Sequence, residues 1–367
     1  RIELNGFFFN HRWEQKFIFG FEANRRRNDN PADDFHLGES EQAKYQSQFL
    51  KFDWQNNLFL SQNQTLVFGL DYKLEKGNSS YLYLSPWGNY ESNFPEKRAA
   101  GMGLYLQHQA RPWKELSLTS GFRYDRHQDF GSALTFRLAA NFDLPGIEAR
   151  LKSTLGSGFK APSLYQLYAP ADYLGPIGNQ QLKPERNLGW DVGLEKTISN
   201  QFTISLTYFE SHYRNLIQFY FGSGYQNLGR VVTRGLESSL EAKLLEALNL
   251  NLIWTHLKAV DQDTGTQLVR RPRDTIHLSL NYSPRAIKAT LEFCYLSQRL
   301  DVDYSAVPAR TVTLKSALIS NIVLGYELKN HYSLFLKIDN LFHARYELVY
   351  GYGTPGTTIS TGFRLKL

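Results

Sequence analysis

The sequence predicts an all-β protein, specifically an antiparallel transmembrane β-barrel. Two observations carry the prediction and a third is compatible with it. Apolar and polar side chains alternate in about 17 segments. The connections between these segments alternate short and long. No apolar run reaches the roughly 18–20 residues that a membrane-crossing helix needs, and a barrel needs none, because only alternate residues face lipid.

The alternation is clearest in four segments. Leu66, Phe68, Leu70, Tyr72 and Leu74 share one face of Thr65–Glu75, opposite Thr65, Gly69, Asp71, Lys73 and Glu75, with Val67 the exception. Phe202, Ile204, Leu206 and Tyr208 alternate with Thr203, Ser205 and Thr207. Tyr332, Leu334, Leu336 and Ile338 alternate with Ser333, Phe335, Lys337 and Asp339. Ile359, Thr361, Phe363, Leu365 and Leu367 stand opposite Ser360, Gly362, Arg364 and Lys366. A period of two means a sheet with one apolar and one polar face. Segments of roughly 10 residues suit tilted membrane-spanning strands. No segment reads as a helix, and Leu240–Leu250 reads as a hairpin.

Short connections fall at His11–Gln15, Leu60–Gln64, Arg111–Glu115, Asp143–Gly146, Ser199–Gln201, Leu245–Ala247, Ser283–Ala286 and Leu328–His331. Long ones fall at Arg25–Ala43, Lys76–Lys97, Lys160–Glu185, Asn215–Gly229, Asp261–Arg273, Arg299–Arg310 and His343–Thr357. His127–Phe130 is brief although it lies on the long side. With neighbouring strands antiparallel, all short turns gather at one end of the sheet, as the periplasmic turns of a membrane barrel do. Asn89 and Gly222 are then expected outside the cell, and Pro145 and Asn330 in the periplasm. Trp13 and Trp113 sit in the short turns, where an aromatic girdle meets the interface. A soluble β-propeller explains the alternation equally well, but it explains the one-sided loops poorly and leaves no blade-length repeat.

Composition limits the chemistry. Of 367 residues, 22 are Tyr and 25 are Phe, which suits strands and membrane interfaces. The single cysteine, Cys294, excludes an internal disulfide and a multi-cysteine metal site. No His pair has metal-ligand spacing, so neither a metal nor a cofactor is expected. Gly351–Gly356 matches G-x-G-x-x-G, but it lies between strands and contains Pro355, so it reads as a glycine-rich loop. His277 and Ser279 share a polar face and read as lumen-lining groups rather than a catalytic pair. The net charge is +6. Arg25, Arg26, Arg27, Arg270, Arg271 and Arg273 lie at the long-loop end. They read as solvated charge or lumen ion pairs, or, for Arg25, Arg26, Arg27, Arg270 and Arg271, as a rim that meets lipopolysaccharide phosphates. A nucleic-acid partner is not expected. The aromatic-rich long loops supply candidate ligand contacts: Tyr81, Tyr83, Trp87, Tyr90, Tyr165, Tyr168, Tyr173, Tyr220 and Tyr225. Aromatics give a large, stiff contact area, and the same residues could equally pack loops together.

Two stretches carry a family resemblance. Gly158-Phe-Lys-Ala-Pro-Ser-Leu-Tyr-Gln-Leu-Tyr168 followed by Gly178-Asn-Gln-Gln-Leu-Lys-Pro-Glu185 resembles the central signature of TonB-dependent outer-membrane receptors. Ile338-Asp-Asn-Leu-Phe342, with Tyr346 and Gly351–Gly356, resembles their C-terminal signature. The resemblance implies residues 1–367 are part of a barrel of 22 strands, with the plug and first strands lying before Arg1. It implies no enzyme but an active transporter of the bacterial outer membrane, driven by TonB through the plug. Leu268-Val-Arg-Arg-Pro-Arg273 and Glu347-Leu-Val-Tyr-Gly-Tyr352 resemble the cobalamin branch, so a corrinoid is the first expected ligand and a ferric siderophore the second. No His lies between Phe159 and Asn187, which disfavours haem. A passive porin is the main alternative of another class.

Overall fold

A computed structural model describes the whole chain except Phe35, residues 172–174, Phe221, Val307, Asn330 and residues 366–367. Seventeen strands form one antiparallel sheet, as the alternation predicts, and four further strands form two small hairpins. By packing, the chain divides into two compact units, Arg1–Ala140 with Leu155–Leu188 and Tyr213–Arg230, and Asn141–Thr154 with Gly189–His212 and Val231–Leu367.

The first unit holds β1 (Ile2–Phe8), β2 (Trp13–Asn30), β3 (Ser40–Ser61), β4 (Gln64–Leu84), β5 (Tyr90–Trp113) and β6 (Leu116–His127). Each pairs antiparallel with the next. Strands β2 to β5 run 18, 22, 21 and 24 residues. They therefore extend well past the span of a membrane, and they absorb most of the expected loops Arg25–Ala43 and Lys76–Lys97. The reason is that ladder hydrogen bonds continue where the apolar alternation stops. Arg27 still pairs with Lys44, and Tyr83 with Tyr90. Polar strands in water keep the same backbone bonds, so hydropathy marks the membrane span and not the strand end.

Strands β7 (Gly131–Leu144), β8 (Ala149–Lys160), β9 (Glu185–Ile198), β10 (Phe202–Tyr220) and β11 (Gly224–Leu245) contribute residues to both units. Between β8 and β9 lies α1 (Leu164–Tyr168), a single turn of helix that the alternation does not reveal. It forms because Ser163 caps it. The Ser163 hydroxyl accepts from the Gln166 amide at 3.2 Å, and the Gln166 side chain accepts from the Ser163 amide at 2.9 Å.

The second unit continues with β12 (Leu248–Asp261), β13 (Asp274–Tyr282) and β14 (Ile287–Leu296). A hairpin of β15 (Arg299–Asp303) and β16 (Arg310–Leu314) follows, then β17 (Ala317–Lys329) and β18 (Tyr332–Asp339). The hairpin of β19 (Glu347–Val349) and β20 (Tyr352–Gly353) precedes the last strand, β21 (Thr358–Leu365). The β11–β12 hairpin confirms the reading of Leu240–Leu250. The short connections fall within about three residues of where the sequence places them: the first lies at Phe9–Arg12 rather than His11–Gln15, and Leu328–His331 includes Asn330, which lies outside the described residues.

The apolar face of this sheet is open. Phe17, Phe19, Phe21, Leu104, Leu106, Phe122, Leu134 and Leu138 are all exposed. A soluble sandwich or propeller would bury such a face, because each large side chain left in water forgoes about 1.5–3 kcal/mol. Trp13 donates its indole N–H to the buried Asn56 at 3.0 Å, which orients the ring beside Phe8 and Phe9 at the turn. No helix among the described residues is long and apolar enough to cross a membrane.

Candidate ligand-facing site

The polar face of β3 to β6 carries a cluster of charged side chains. Register sets Asp53, Asp71, Gly103 and Asp125 side by side on four consecutive strands. Adjacent carboxylates repel, and the neighbouring cations relieve this. Lys51 pairs with Asp53 at 3.0 Å, and Arg123 reaches Asp71 at 2.7 Å and Asp125 at 2.6 Å. Arg123 lies across the strand at Gly103. A Cβ there would overlap its guanidinium and stand 2.8 Å from the Asp71 carboxylate, so only glycine leaves the lane open. Gly69 leaves similar room for the Tyr105 hydroxyl.

Two cavities open on this face. One of about 750 Å³ is lined by Lys51, Asp53, Tyr105, Gln107, Arg123 and Arg137, among others. Another, about 460 Å³, runs from Asp71, Lys73 and Glu75 to His127 and the Gly158–Leu164 stretch. Both volumes suit a ligand of several hundred daltons.

Above them the loop aromatics gather. Tyr81 and Tyr90 meet edge to face with centroids 6.3 Å apart, and the Tyr90 hydroxyl donates to the Ala171 carbonyl. Tyr168 stacks on Phe94 at 6.4 Å, with the Lys97 ammonium 4.8 Å from its ring centroid. Phe94, Ala99 and Leu164 form a small buried core beside Tyr168. Tyr165 packs edge-on to Tyr225, which also meets Phe219 at 5.2 Å. Tyr83 and Tyr220 lie in β4 and at the end of β10, and both are half-buried. Trp87 stands at the turn after β4, 91% exposed, and Tyr173 lies outside the described residues. The candidate tyrosines thus split in role. Tyr90, Tyr168 and Tyr225 hold loops together, whereas Trp87 and the exposed edge of Tyr165 face solvent.

The signature residues are mostly fasteners. Asn179 accepts from the Gln181 amide at 2.9 Å and donates to the Tyr225 carbonyl at 3.0 Å. Leu182 is buried, and Glu185 accepts from the Ile217 amide at 2.9 Å while pairing with Lys160 at 3.2 Å. Asn227, which no sequence motif singles out, ties the Lys183 backbone to the Asn215 carbonyl.

In the second unit, Asp301 is fully buried and links three loops. Its Oδ1 accepts from the Arg270 Nε and the Val302 amide, each at 2.8 Å, and its Oδ2 accepts from the Tyr350 amide at 2.7 Å. Burial pushes this carboxyl up, but the Tyr350 and Val302 amides and the Arg270 guanidinium outweigh it and hold the pKa below the usual range. Asp303 is also held low, first by the Ser305 hydroxyl and also by Arg310. Arg299 donates to the Glu347 carbonyl. The stretches Leu268–Arg273 and Glu347–Tyr352 therefore meet through Asp301. Arg270 spends its Nε there, while Arg271 donates to the Arg270 carbonyl at 3.2 Å. Nearby, Gly351–Gly356, expected to be a loop between strands, contains β20 (Tyr352–Gly353), and the strand β21 rather than a helix follows it.

His277 and Ser279 share the polar face of β13, yet the serine hydroxyl serves Asn251 and Asn281 while His277 lies 3.9 Å from Cys294. Among the described residues no cluster of His, Cys, Asp and Glu could hold a metal ion.

Residues 2–341 match the family model described as TonB dependent receptor-like, beta-barrel. The chain belongs to that family. Its members are transporters of the bacterial outer membrane and not enzymes. The siderophore receptor PirA from Acinetobacter baumannii is similar at 17% identity and TM-score 0.77, over 99% of this chain and 61% of that one. The ferripyoverdine receptor of the outer membrane of Pseudomonas aeruginosa, bound to ferripyoverdine, is similar at 14% and 0.75, over 99% and 55%. The copper transporter OprC is similar at 14% and 0.76, over 96% and 62%. The chain thus spans less than two thirds of each of these receptors. The exposed apolar face is the face that meets lipid, and the charged face of β3 to β6 is the face that lines the lumen.

Proposed function

We propose that this chain is barrel from a TonB-driven importer of a ferric siderophore, with TonB engaged through a plug segment. The observation that carries the reading is the lumen face of β3 to β6. Its cavities of about 460 and 750 Å³ are amphipathic, lined by Lys51, Lys73, Arg123 and Arg137 as well as by carboxylates and Tyr105. A chelate of several hundred daltons with anionic oxygens and flat rings finds cations and aromatic surface together there. The siderophores in the printed names of the similar receptors support the same ligand class.

The corrinoid expected from Leu268–Arg273 and Glu347–Tyr352 loses its footing. Those stretches meet through Asp301, and the similar receptors named above are siderophore and copper receptors. The test is binding to the complete receptor in detergent, followed by quenching of tryptophan fluorescence, with representative ferric siderophores and cyanocobalamin. Saturable quenching by a ferric siderophore at submicromolar concentration, abolished without iron, is expected. Tight cyanocobalamin binding with no siderophore response would overturn the ligand and leave the transporter family standing.

A further inference from the structure

The second unit holds a cavity of about 540 Å³ that shares no lining residue with the two described above. Its walls are the end of β16 with the step into β17, and the loop that carries β19 and β20. Lys315, His343 and Arg345 line it with cations and a ring donor, and Tyr346 and Tyr350 with aromatic surface. Glu347 is the one carboxylate among the described residues that line it. The loop wall is built in advance. Asn340 is buried, donates to the Ala344 carbonyl at 2.9 Å and the Pro355 carbonyl at 3.2 Å, and accepts from the Ala344 amide at 2.8 Å. The Thr354 hydroxyl donates to the Tyr346 carbonyl at 2.8 Å. His343 is seated against Gly356, where a Cβ would overlap its ring. Its Nδ1 accepts from the Thr357 amide at 3.2 Å, which leaves the ring proton on Nε2.

The charge around this cavity is unbalanced. Among the described residues Lys315 and Arg345 make no ion pair, while Glu347 already accepts from the Gly351 amide at 3.4 Å. Arg299 adds to the excess. It does not line the cavity, but its ladder partner Leu314 and its acceptor Glu347 both do. It is 4% exposed, and its Nη1 is buried with no hydrogen-bond partner among the described residues. The buried carboxylates of the same strand, Asp301 and Asp303, are taken by Arg270 and Arg310. A buried guanidinium with no carboxylate of its own keeps an uncompensated positive field, because little water screens it.

We propose that this cavity binds a small aromatic carboxylate, its carboxylate held by Lys315 and Arg345 and its ring beside Tyr346 and Tyr350. The excess of cations selects an anion, and the guanidinium fork matches a carboxylate. The tyrosines select a flat ring over an aliphatic acid. The volume lies in the lower half of the range of small-molecule sites. A ligand there touches both the end of β16 and the loop of β19 and β20, so it pins that loop. The proposal does not rest on the siderophore reading.

The experiment titrates the complete receptor in detergent by calorimetry. The probes are 4-hydroxybenzoate, its neutral counterpart 4-hydroxybenzamide, and acetate. The benzoate should bind saturably, and the amide and acetate should each bind at least about tenfold more weakly, the one lacking the charge and the other the ring. Bound benzoate should slow amide hydrogen exchange at residues 343–347. A combined variant, Lys315→Gln and Arg345→Gln, should lose at least about 30-fold in affinity, and Lys288→Gln, at the short-turn end of the same unit, should lose nothing. A ferric siderophore should leave the benzoate in place. No saturable binding, equal binding of the amide or acetate, full affinity in the combined variant, or slowed exchange only outside residues 343–347 would each overturn the proposal. So would displacement by a ferric siderophore, since the cavity would then belong to the transported ligand. The probe comparison and the exchange pattern need only the native receptor, so they decide the matter even if the variant misfolds.

Discussion

Asp301→Asn isolates the loop hub in the second unit. The substitution keeps the shape but turns one acceptor oxygen into a donor. In the native protein Oδ1 serves Arg270 and Val302, and Oδ2 serves the Tyr350 amide. An asparagine oxygen that stays with Arg270 turns its amide toward the Tyr350 N–H, where two donors oppose. A hydrogen bond to a charged group contributes about 1.5–3 kcal/mol, so the Tyr350 anchor should weaken by about that much. The loss is local. Protection of the Tyr350 amide against hydrogen exchange should fall roughly 10- to 150-fold, since about 1.4 kcal/mol is a factor of ten. Amides in the middle of β13 and β14 should keep their protection. The native protein should show a matching pH response. Its Asp301 pKa lies below the unfolded value, so the stabilisation is complete above about pH 4 and is lost as pH falls through the lower folded value. Unchanged Tyr350 exchange in Asp301→Asn, or a hub that loosens between pH 8 and pH 5, would refute the reasoning.

Two further outcomes follow from register and connection. Gly103→Val should evict Arg123 from between Asp71 and Asp125 and cost about 1–3 kcal/mol in unfolding experiments, whereas Gly121→Ala, whose nearest neighbour is 3.5 Å away, should stay within about 0.5 kcal/mol. With Cys294 replaced by serine in the complete receptor, cysteine at Gly222 should react with an impermeant maleimide on intact cells and cysteine at Gly146 should not; reversed labelling would invert the orientation. Asn330, the other turn position expected in the periplasm, lies outside the described residues.

By itself, the sequence determined the strand class, the two faces and the end at which each connection lies. Alternation reports the local environment of single side chains, and Phe17, Phe19 and Phe21 or Leu66, Phe68 and Leu70 need no partner to declare a face. It also revealed the family, because Asn179, Leu182 and Glu185 sit in a contiguous stretch. What it could not give was register. That Asp53, Asp71, Gly103 and Asp125 stand in one row depends on pairings between residues 18 to 32 positions apart. The lengths of β2 to β5 were hidden for a related reason, since backbone hydrogen bonds extend a hairpin in water without any hydropathy signal. Only the tertiary structure separated Tyr168, packed on Phe94 under Lys97, from Trp87, open to solvent. Both read simply as loop aromatics, because burial is a property of the neighbours that folding supplies and not of the residue.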